Sequence, residues 1–131
     1  MNILAAFKQV KAFVLDVDGV LTDGTLQVVP GGHMVRSMHV KDGYALQLAI
    51  KKGYHVLVIS GGNAPEVKER LLKLGVDNVY MQAEDKVSLV RQYMEQHALS
   101  KEQALFMGDD IPDYDAMRLV GLPCCPSDAA W

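Results

Sequence analysis

Short apolar runs recur along the chain, and segments with a helical spacing of apolar residues lie between them. The runs are at 11–16, 55–60, 78–81 and 104–107, and their interiors hold few polar residues. Such runs are typical of strands that are buried on both faces of a parallel sheet. Because strand and helix patterns alternate, the chain is predicted to fold as a three-layer α/β domain, with a parallel sheet between two layers of helices.

Capping residues mark the ends of the predicted helices. Asp42 is expected to cap the first helix and Gly53 to end it. Asn63 is expected to cap the second helix and Gly75 to end it, because short polar residues favour the cap position and glycine favours the position after the last turn. Two further helices are predicted over 86–97 and 112–119.

One segment departs from the alternation of strands and helices. Residues 25–29 and 34–40 alternate between apolar and polar positions on either side of a Pro-Gly-Gly turn at 30–32. This pattern predicts a β-hairpin between the first strand and the first helix. No repeat, linker or change in composition marks a second domain, so residues 1–131 are predicted to form one domain.

Composition and charge narrow the classes of protein to which the chain can belong. Half of the 131 residues are apolar, 22% are charged and the formal net charge is −3, which excludes a strongly basic nucleic-acid-binding protein. No apolar run reaches the length of about 18 residues that a membrane helix needs. Cys124 and Cys125 are adjacent and poorly placed to pair with each other, which favours a reducing compartment. We therefore expect a cytoplasmic protein without nucleic-acid or membrane partners.

Each predicted strand is followed along the chain by polar side chains. In chain order they are Asp16, Asp18, Ser60, Lys86, Asp109, Asp110 and Asp113. Parallel strands end at one edge of their sheet, and ligands of such sheets bind beyond that edge. The sequence therefore predicts that these side chains meet in one site.

The carboxylates among these residues predict a site for a hard cation. Several carboxylates that converge on one point repel each other unless a cation lies between them. Oxygen ligands without histidine or cysteine favour Mg²⁺. Ser60, Lys86 and the N–H groups of Gly61 and Gly62 add donors that suit phosphate oxygens. The combination predicts phosphoryl transfer.

Asp16 and Asp18 are given separate roles. Residues i and i+2 of an extended strand point to the same side, so the two carboxyl groups are expected to lie side by side. Asp16 is predicted to attack phosphorus as the nucleophile. Asp18 is predicted to protonate the leaving oxygen and then to take a proton from the water that hydrolyses the aspartyl-phosphate.

Other polar residues have a simpler interpretation. Asp23 fits a turn, and the scattered histidines give no metal-ligand spacing. Arg36 and His39 lie on the predicted hairpin, where an exposed position is the default expectation.

At these residues the sequence resembles the haloacid dehalogenase superfamily of phosphatases. The segment 16–22 resembles the first motif of the superfamily, Ser60 the second, Lys86 the third and the segment 108–113 the fourth. All four motifs are present in order and span nearly the whole chain. The resemblance implies a Rossmann-like fold and hydrolysis of a phosphomonoester.

The resemblance also assigns a role to each matching residue. The catalytic residues that it implies are Asp16, Asp18, Ser60 and Lys86, and the last two hold the phosphoryl group. The Mg²⁺ ligands that it implies are Asp16, the backbone carbonyl of Asp18, and Asp109. Asp110 or Asp113 would hold the water molecules of the metal or orient Lys86. The implied substrate contacts are Asp23, Gly61, Gly62 and Asn63.

Three segments are similar to one family of this superfamily, the 3-deoxy-D-manno-octulosonate 8-phosphate phosphatases. They are 18–24, 40–46 and 121–126. The family belongs to the branch without a cap domain, and 131 residues leave no room for one. Its members are typically tetramers whose hairpins pack together and whose active sites are completed by a neighbouring subunit. The resemblance therefore implies a homotetramer that hydrolyses this sugar-acid phosphate in lipopolysaccharide biosynthesis.

The sequence departs from the family pattern at two places. The family commonly has Gly-Arg after the motif serine, where the arginine can meet the carboxylate of the substrate, but this chain has Gly61, Gly62 and Asn63. Arg70 is one candidate substitute for that arginine. Family members also continue beyond the position of Trp131 through another strand, so the sheet is expected to lack an edge strand.

Two alternatives to this function stay open. A phosphatase for 2-keto-3-deoxynononate 9-phosphate, or for a similar sugar-acid phosphate, would use the same mechanism, and the missing arginine keeps that substrate under consideration. A non-catalytic tetramerisation module would use the same fold, although the complete set of motif residues argues against it. A phospho-receiver domain is disfavoured, because its lysine follows the fifth strand rather than the third.

Overall fold

Strands and helices follow one another along the chain largely as the hydrophobic pattern predicts. A computed structural model describes residues 3–108 and 113–126, apart from the side chain of His33. The strands are β1 (Ala12–Leu15), β2 (Gln27–Val29), β3 (His33–Val35), β4 (His55–Ile59), β5 (Asn78–Tyr80), β6 (Ala104–Met107) and β7 (Leu122–Cys124). The helices are α1 (Ile3–Gln9), α2 (Val40–Lys51), α3 (Pro65–Lys73), α4 (Lys86–Gln96), α5 (Tyr114–Met117) and a 3₁₀ helix (Lys101–Gln103). None of the helices in these residues is long and apolar enough to cross a membrane.

β1 lies at the centre of the main sheet. The five strands of this sheet are parallel and have the order β5-β4-β1-β6-β7. At the end of β1, Leu15 is opposite Val58 of β4 and Met107 of β6. The three central strands therefore end at the same edge of the sheet, and the residues that follow them are brought together there.

Apolar side chains on the two faces of the sheet hold the helices in two layers. On one face, Val58 belongs to a core cluster with Leu46 of α2 and Leu71 of α3. On the other face, Ile59 belongs to a cluster with Val90 of α4 and with residues of α5. Val58 and Ile59 are neighbours in β4 and both are 0% exposed, which explains why this strand shows no alternation of apolar and polar residues. The predicted three-layer fold is confirmed.

The hairpin is inserted between β1 and α2. β2 and β3 pair antiparallel, with Val28 opposite Met34, and an isolated bridge joins Thr22 to Met38 at the base of the hairpin. Residues 16–39 consist of the loop after β1 and this hairpin, so no cap domain lies in the connection. The predicted hairpin without a cap domain is confirmed.

The first of the predicted helices begins earlier than expected. His39 caps α2, and its Nδ1 atom accepts a hydrogen bond of 3.0 Å from the N–H of Lys41. Asp42 lies inside the first turn, so the prediction that it caps the helix is wrong. The acidic side chain still favours this end of the helix, because the N-terminal turn carries a partial positive charge.

The second predicted helix begins later than expected. Both helices end at the glycines that the sequence predicts as their ends. Ala64 rather than Asn63 is the cap residue of α3, because Pro65 fits the first helical position, where no N–H donor is needed. The prediction for Asn63 as a cap is therefore wrong. Gly53 and Gly75 follow the last residues of α2 and α3 with φ of 91° and 99°, as a helix-terminating glycine requires.

β7 is a strand that the hydrophobic pattern did not predict. It pairs with β6, with Leu105 opposite Leu122 and Met107 opposite Cys124. It has only three residues, and one of them is Pro123, which an edge strand tolerates because one side of that strand needs no partner. β7 lies before Trp131, so the expectation that the sheet lacks a further edge strand beyond that residue stays a prediction. α1 was not predicted either, since none of its residues is buried.

The close contact that precedes β7 gives a test of this arrangement. Gly121 donates a hydrogen bond of 2.7 Å to the carbonyl oxygen of Lys101, and a Cβ atom on Gly121 would lie 2.8 Å from that oxygen and 2.9 Å from the Cα of Glu102. We expect Gly121→Ala to lower the free energy of unfolding by about 1–3 kcal/mol, because backbone atoms would have to move. Denaturant-induced unfolding measures this change.

Gly43→Ala is the matched control for this prediction. The nearest atoms to a Cβ on Gly43 belong to the side chains of Leu74 and Arg70, at 3.4 Å and 3.5 Å, which is ordinary contact. Alanine is also favoured over glycine inside a helix, so this variant should be as stable as the wild type or more stable. A Gly121→Ala protein with unchanged stability would contradict the contact described here.

Candidate active site

Polar residues that are far apart in sequence meet at the carboxyl edge of the sheet. Asp16 directly follows β1, Ser60 directly follows β4 and Lys86 is the first residue of α4. All three line one cleft with a volume of about 500 Å³, which Asp18 and Gly62 also line. The structure therefore brings Asp16, Ser60 and Lys86 together at one edge of the sheet, as the sequence predicts.

Asp16 lies at the bottom of this cleft. The residue is only 7% exposed. Its Oδ1 atom accepts a hydrogen bond of 2.7 Å from the N–H of Val17, and its own N–H donates to the carbonyl oxygen of Met107 over 3.1 Å. The second of these bonds continues the pairing of β1 with β6 by one residue. The carboxylate is thus held by the end of the central strand rather than by a free loop.

Lys86 joins two carboxylates that are otherwise removed from water. Its Nζ atom pairs with Oδ1 of Asp113 and lies 3.6 Å from Oδ1 of Asp16. The side chain of Asp113 is 0% exposed, and its Oδ2 atom has no hydrogen-bond partner among the described residues. A buried carboxylate is costly unless a cation accompanies it, so Lys86 and Asp113 depend on each other for their positions.

Gly108 makes room for Asp113. A Cβ atom on Gly108 would lie 2.8 Å from both the Cβ and the Oδ2 of Asp113. The N–H of Gly108 donates a hydrogen bond of 3.1 Å to the carbonyl oxygen of Cys124, which follows the pairing of β6 with β7. The edge strand that the sequence pattern missed therefore holds Gly108 in place beside Asp113.

The surroundings of Asp16 disfavour its ionised form. Burial raises the pKa of Asp16 from 3.8 to about 7, and the carboxylate of Asp113 adds to this rise. Lys86 and the N–H of Val17 act in the opposite direction. Because only an ionised carboxylate is a nucleophile, additional positive charge at this place would favour the reactive form.

Arg36 is a site residue that the sequence analysis missed. Its Nε donates to Oδ1 of Asp18 over 2.7 Å, and its Nη2 donates to Oδ2 over 3.3 Å. The side chain of Arg36 is only 5% exposed, so the expectation of an exposed hairpin position is wrong. The alternation within the hairpin gives no signal for this contact, because it depends on the hairpin folding back over the loop after β1.

Ser60 and the two glycines that follow it form one wall of the cleft. The Oγ of Ser60 accepts a hydrogen bond of 3.2 Å from the N–H of Gly62, and the residue is 2% exposed. The N–H of Gln82 donates to the carbonyl oxygen of Gly62, and the N–H of Ala83 donates to that of Ser60, both over 2.8 Å. These bonds fix the loop after β4 to the loop that leads to Lys86.

Two of the predicted substrate contacts lie away from the walls of this cleft. Asp23 accepts hydrogen bonds from the N–H and the hydroxyl of Thr25, at 2.9 Å and 2.6 Å, which lower its pKa. This contact is the turn that the sequence also indicated. Asn63 is exposed beside the site. Asp109 and Asp110 lie outside the described residues, so their roles stay predictions.

Arg70 does not take the place of the arginine that is missing after Ser60. It lies on α3 and is exposed, and its Nη2 atom lies 3.5 Å from where a Cβ on Gly43 of α2 would be. A guanidinium group nevertheless reaches the space beside Gly62, since Nη2 of Arg36 lies 3.1 Å from where a Cβ on Gly62 would be. That group comes from the hairpin rather than from the loop after β4.

The donor atoms at the bottom of the cleft fit a hard divalent cation. The described part of the lining offers carboxylate, hydroxyl and carbonyl oxygens and holds no cysteine or histidine. Within residues 3–108 and 113–126, no three His, Cys, Asp or Glu side chains are grouped so that they could hold a metal by themselves. A site built from Asp16 and the backbone carbonyl of Asp18 thus requires a further ligand, and Asp109 is the residue that the sequence predicts for it.

Comparison with known proteins gives the same assignment from sequence and from structure. No family model matches the chain. It is 30% identical, over 128 residues, to the 3-deoxy-D-manno-octulosonate 8-phosphate phosphatase KdsC of Escherichia coli strain K12, a match that covers 98% of this chain and 68% of that protein.

Two solved structures show the same arrangement of the chain. The 3-deoxy-D-manno-octulosonate 8-phosphate phosphatase of Moraxella catarrhalis, in complex with a magnesium ion, a phosphate ion and KDO, superposes with a TM-score of 0.89 at 26% identity, covering 96% of this chain and 72% of that one. The cobalt-bound phosphatase of Haemophilus influenzae superposes with a TM-score of 0.87 at 31% identity, covering 95% and 72%. The chain therefore belongs to the 3-deoxy-D-manno-octulosonate 8-phosphate phosphatase family of the haloacid dehalogenase superfamily.

Proposed function

We propose that the protein is a Mg²⁺-dependent phosphomonoesterase that hydrolyses 3-deoxy-D-manno-octulosonate 8-phosphate to the free sugar acid and phosphate. The observation that carries this proposal is the buried carboxylate of Asp16, placed at the carboxyl end of β1 beside Lys86 in an open cleft. Membership of the phosphatase family supports the reaction and the substrate class.

The first half of the proposed reaction uses Asp16 as the nucleophile. A carboxylate oxygen of Asp16 forms a bond to phosphorus while the bond from phosphorus to the sugar oxygen breaks, and an aspartyl-phosphate results. Lys86, the hydroxyl of Ser60 and the N–H groups of Gly61 and Gly62 hold the phosphoryl oxygens. Lys86 is suited to this role because its pairing with Asp113 fixes the ammonium group beside Asp16.

Asp18 handles the protons in both halves of the reaction. It gives a proton to the sugar oxygen as the ester bond breaks, so that the sugar leaves as an alcohol. The Asp18 carboxylate then accepts a proton from the water that attacks the aspartyl-phosphate, which restores both residues. Asp18 is 36% exposed on its side chain and lines the cleft, so both a substrate oxygen and water have access to it.

The groups that would hold Mg²⁺ are Asp16, the backbone carbonyl of Asp18, and Asp109. When bound, the cation supplies positive charge that favours ionised Asp16 and offsets the charge of the phosphoryl oxygens. Asp110 is proposed to hold water molecules of the metal. Asp113 is proposed to orient Lys86, a role that its contact with the ammonium group supports.

Substrate binding is proposed to involve Asp23, Gly61, Gly62 and Asn63. Gly61 and Gly62 line the cleft, and their N–H groups are proposed to bind a phosphate, that of Gly62 leaving the Oγ of Ser60 to do so. Asp23 and Asn63 do not line the cleft but adjoin Gly24 and Gly62, which do, and they are proposed to meet the part of a sugar acid that extends beyond its phosphate. A nine-carbon sugar-acid phosphate fits the same chemistry, and the absence of an arginine after Ser60 keeps it as the second candidate substrate.

The protein is further proposed to be a homotetramer that acts in the cytoplasm in lipopolysaccharide biosynthesis. The two cysteines are free, in keeping with a reducing compartment. The hairpin exposes apolar side chains, with Val28 73%, Met34 50% and Val35 45% exposed. Hairpins of neighbouring subunits would bury these side chains and cover the open cleft, which has no cap domain above it.

Phosphate release from the two sugar-acid phosphates tests the proposed function. We expect Mg²⁺-dependent release with a higher kcat/KM for the eight-carbon substrate. Asp16→Asn, which keeps the size of the side chain and removes the nucleophile, is expected to lower kcat by at least about a thousandfold. A higher kcat/KM for the nine-carbon substrate would contradict the proposed eight-carbon substrate. If a folded tetramer releases phosphate from neither, the non-catalytic alternative is favoured.

The raised pKa of Asp16 predicts how pH affects the stability of the metal-free protein. The folded-state pKa of about 7 exceeds the ordinary value of 3.8, so the folded state binds an extra proton between these values. The resulting stability is full below the lower value and is lost as pH rises through about 7. We therefore expect the Tm of protein in chelator to fall between about pH 5 and about pH 8, and to fall less in Asp16→Asn.

Mg²⁺ is expected to reverse this loss. At about pH 8 the cation meets an ionised carboxylate, whereas at about pH 6 it must first displace a proton, so Mg²⁺ should raise the Tm more at the higher pH. Thermal unfolding with and without Mg²⁺ measures the difference. An equal slope in the wild type and in Asp16→Asn would contradict the assignment of the proton to Asp16.

The exposed apolar residues of the hairpin predict which variant dissociates the proposed tetramer. Val28→Glu places a charge at the most exposed apolar position of β2, and it is expected to reduce the assembly to smaller species because a buried unpaired charge is costly. Leu72→Glu on α3, where Leu72 is 44% exposed, is the matched control and should leave the mass unchanged. Light scattering after size-exclusion chromatography measures the mass; a monomeric wild type would contradict the assembly.

A further inference from the structure

Arg36 reaches from the hairpin to Asp18 at the edge of the site. Its guanidinium contacts both carboxylate oxygens of Asp18, with Nε 2.7 Å from Oδ1 and Nη2 3.3 Å from Oδ2. The side chain of Arg36 is 5% exposed, whereas that of Asp18 is 36% exposed. Two hydrogen bonds from one rigid, planar group fix the plane of a carboxylate, which a single contact would leave free to rotate.

The place of this guanidinium depends on the lack of a side chain at residue 62. A Cβ on Gly62 would lie 3.1 Å from Nη2 of Arg36, 3.7 Å from Oδ2 of Asp18 and 3.7 Å from Oγ of Ser60. Gly62 is not among the glycines with positive φ, so its backbone conformation is open to any residue. Glycine therefore leaves room for Arg36 here, because a Cβ at residue 62 would press on its guanidinium and push it aside by a few tenths of an ångström.

We propose that Arg36 is a positioning residue that holds the carboxyl group of Asp18 in the orientation for proton transfer, and that the glycine at residue 62 leaves room for this placement. This inference rests on the proposed phosphatase function. Arg36 does not line the cleft, and it acts on the reaction through Asp18. The hairpin would thereby take part in catalysis as well as in the proposed assembly.

The proton that Asp18 donates matters more for some leaving groups than for others. The sugar of a sugar phosphate leaves as an unstable alkoxide unless its ester oxygen is protonated. The 4-nitrophenolate that leaves 4-nitrophenyl phosphate is stable without a proton. The value of kcat/KM reports the steps up to formation of the aspartyl-phosphate, which include the departure of the leaving group. A badly oriented Asp18 should therefore lower kcat/KM for the sugar phosphate and have little effect on that for the aryl phosphate.

Steady-state kinetics of the full chain with Mg²⁺ and these two esters tests the inference. We expect Arg36→Ala to lower kcat/KM for 3-deoxy-D-manno-octulosonate 8-phosphate about 10- to 100-fold and that for 4-nitrophenyl phosphate less than about threefold. Arg36→Lys keeps the charge without the paired donors, and it should show a smaller loss of the same kind. Arg118→Ala removes an exposed arginine at the end of α5 and is the matched control, with both values unchanged.

The inferred dependence on Gly62 is tested in the same assay. Gly62→Ala is expected to displace the guanidinium and to lower kcat/KM for the sugar phosphate more than that for the aryl phosphate. In the double variant this substitution should add nothing to the loss caused by Arg36→Ala, because the group that it displaces is already absent. Additive losses would overturn the inferred link between the two residues.

The remaining outcomes separate this inference from the function on which it rests. A wild type that hydrolyses both esters, with Arg36→Ala losing equal activity on each, overturns the positioning role and leaves the phosphatase standing. A wild type that hydrolyses neither ester overturns the phosphatase and this inference together. If Arg36→Ala unfolds, the milder Arg36→Lys variant decides the question by the same comparison of the two esters.

Discussion

The carboxylate of Asp16 is taken out of water at the end of the central strand, and the surrounding site compensates for its burial. Lys86 lies close to it, Asp113 holds Lys86, and Gly108 leaves the space that Asp113 occupies. Asp16 follows β1, Lys86 follows β5 along the chain, and Gly108 and Asp113 both follow β6. The parallel sheet is therefore the condition for the chemistry, because only its common edge brings these groups within a few ångströms of each other.

Without a cap domain above it, the cleft is open to solvent. An open cleft admits water, which weakens electrostatic stabilisation of the reacting phosphoryl group. The hairpin exposes apolar side chains that a neighbouring subunit of the proposed tetramer would bury, and through Arg36 it makes a buried contact with Asp18. Assembly and the orientation of the acid/base group would thus depend on the same inserted element.

The sequence predicts those parts of the structure that depend on local pattern. Asp16, Ser60 and Lys86 lie where strand ends predict them, because apolar runs define the sheet and the sheet defines its edge. The position of Arg36 could not be predicted, since it depends on how the hairpin folds back across the chain. β7 was missed because three residues that include Pro123 carry no periodic signal and become a strand only by pairing with β6.

The central claim is that Asp16 carries the phosphoryl group during turnover. The most direct measurement is to mix the protein and Mg²⁺ with substrate labelled at phosphorus, to stop the reaction in acid within one turnover, and to locate the label by mass spectrometry of peptides. A transient phosphoryl group is expected on the peptide that contains Asp16. Release of labelled phosphate without any protein-bound intermediate, or a label on another residue, would contradict it.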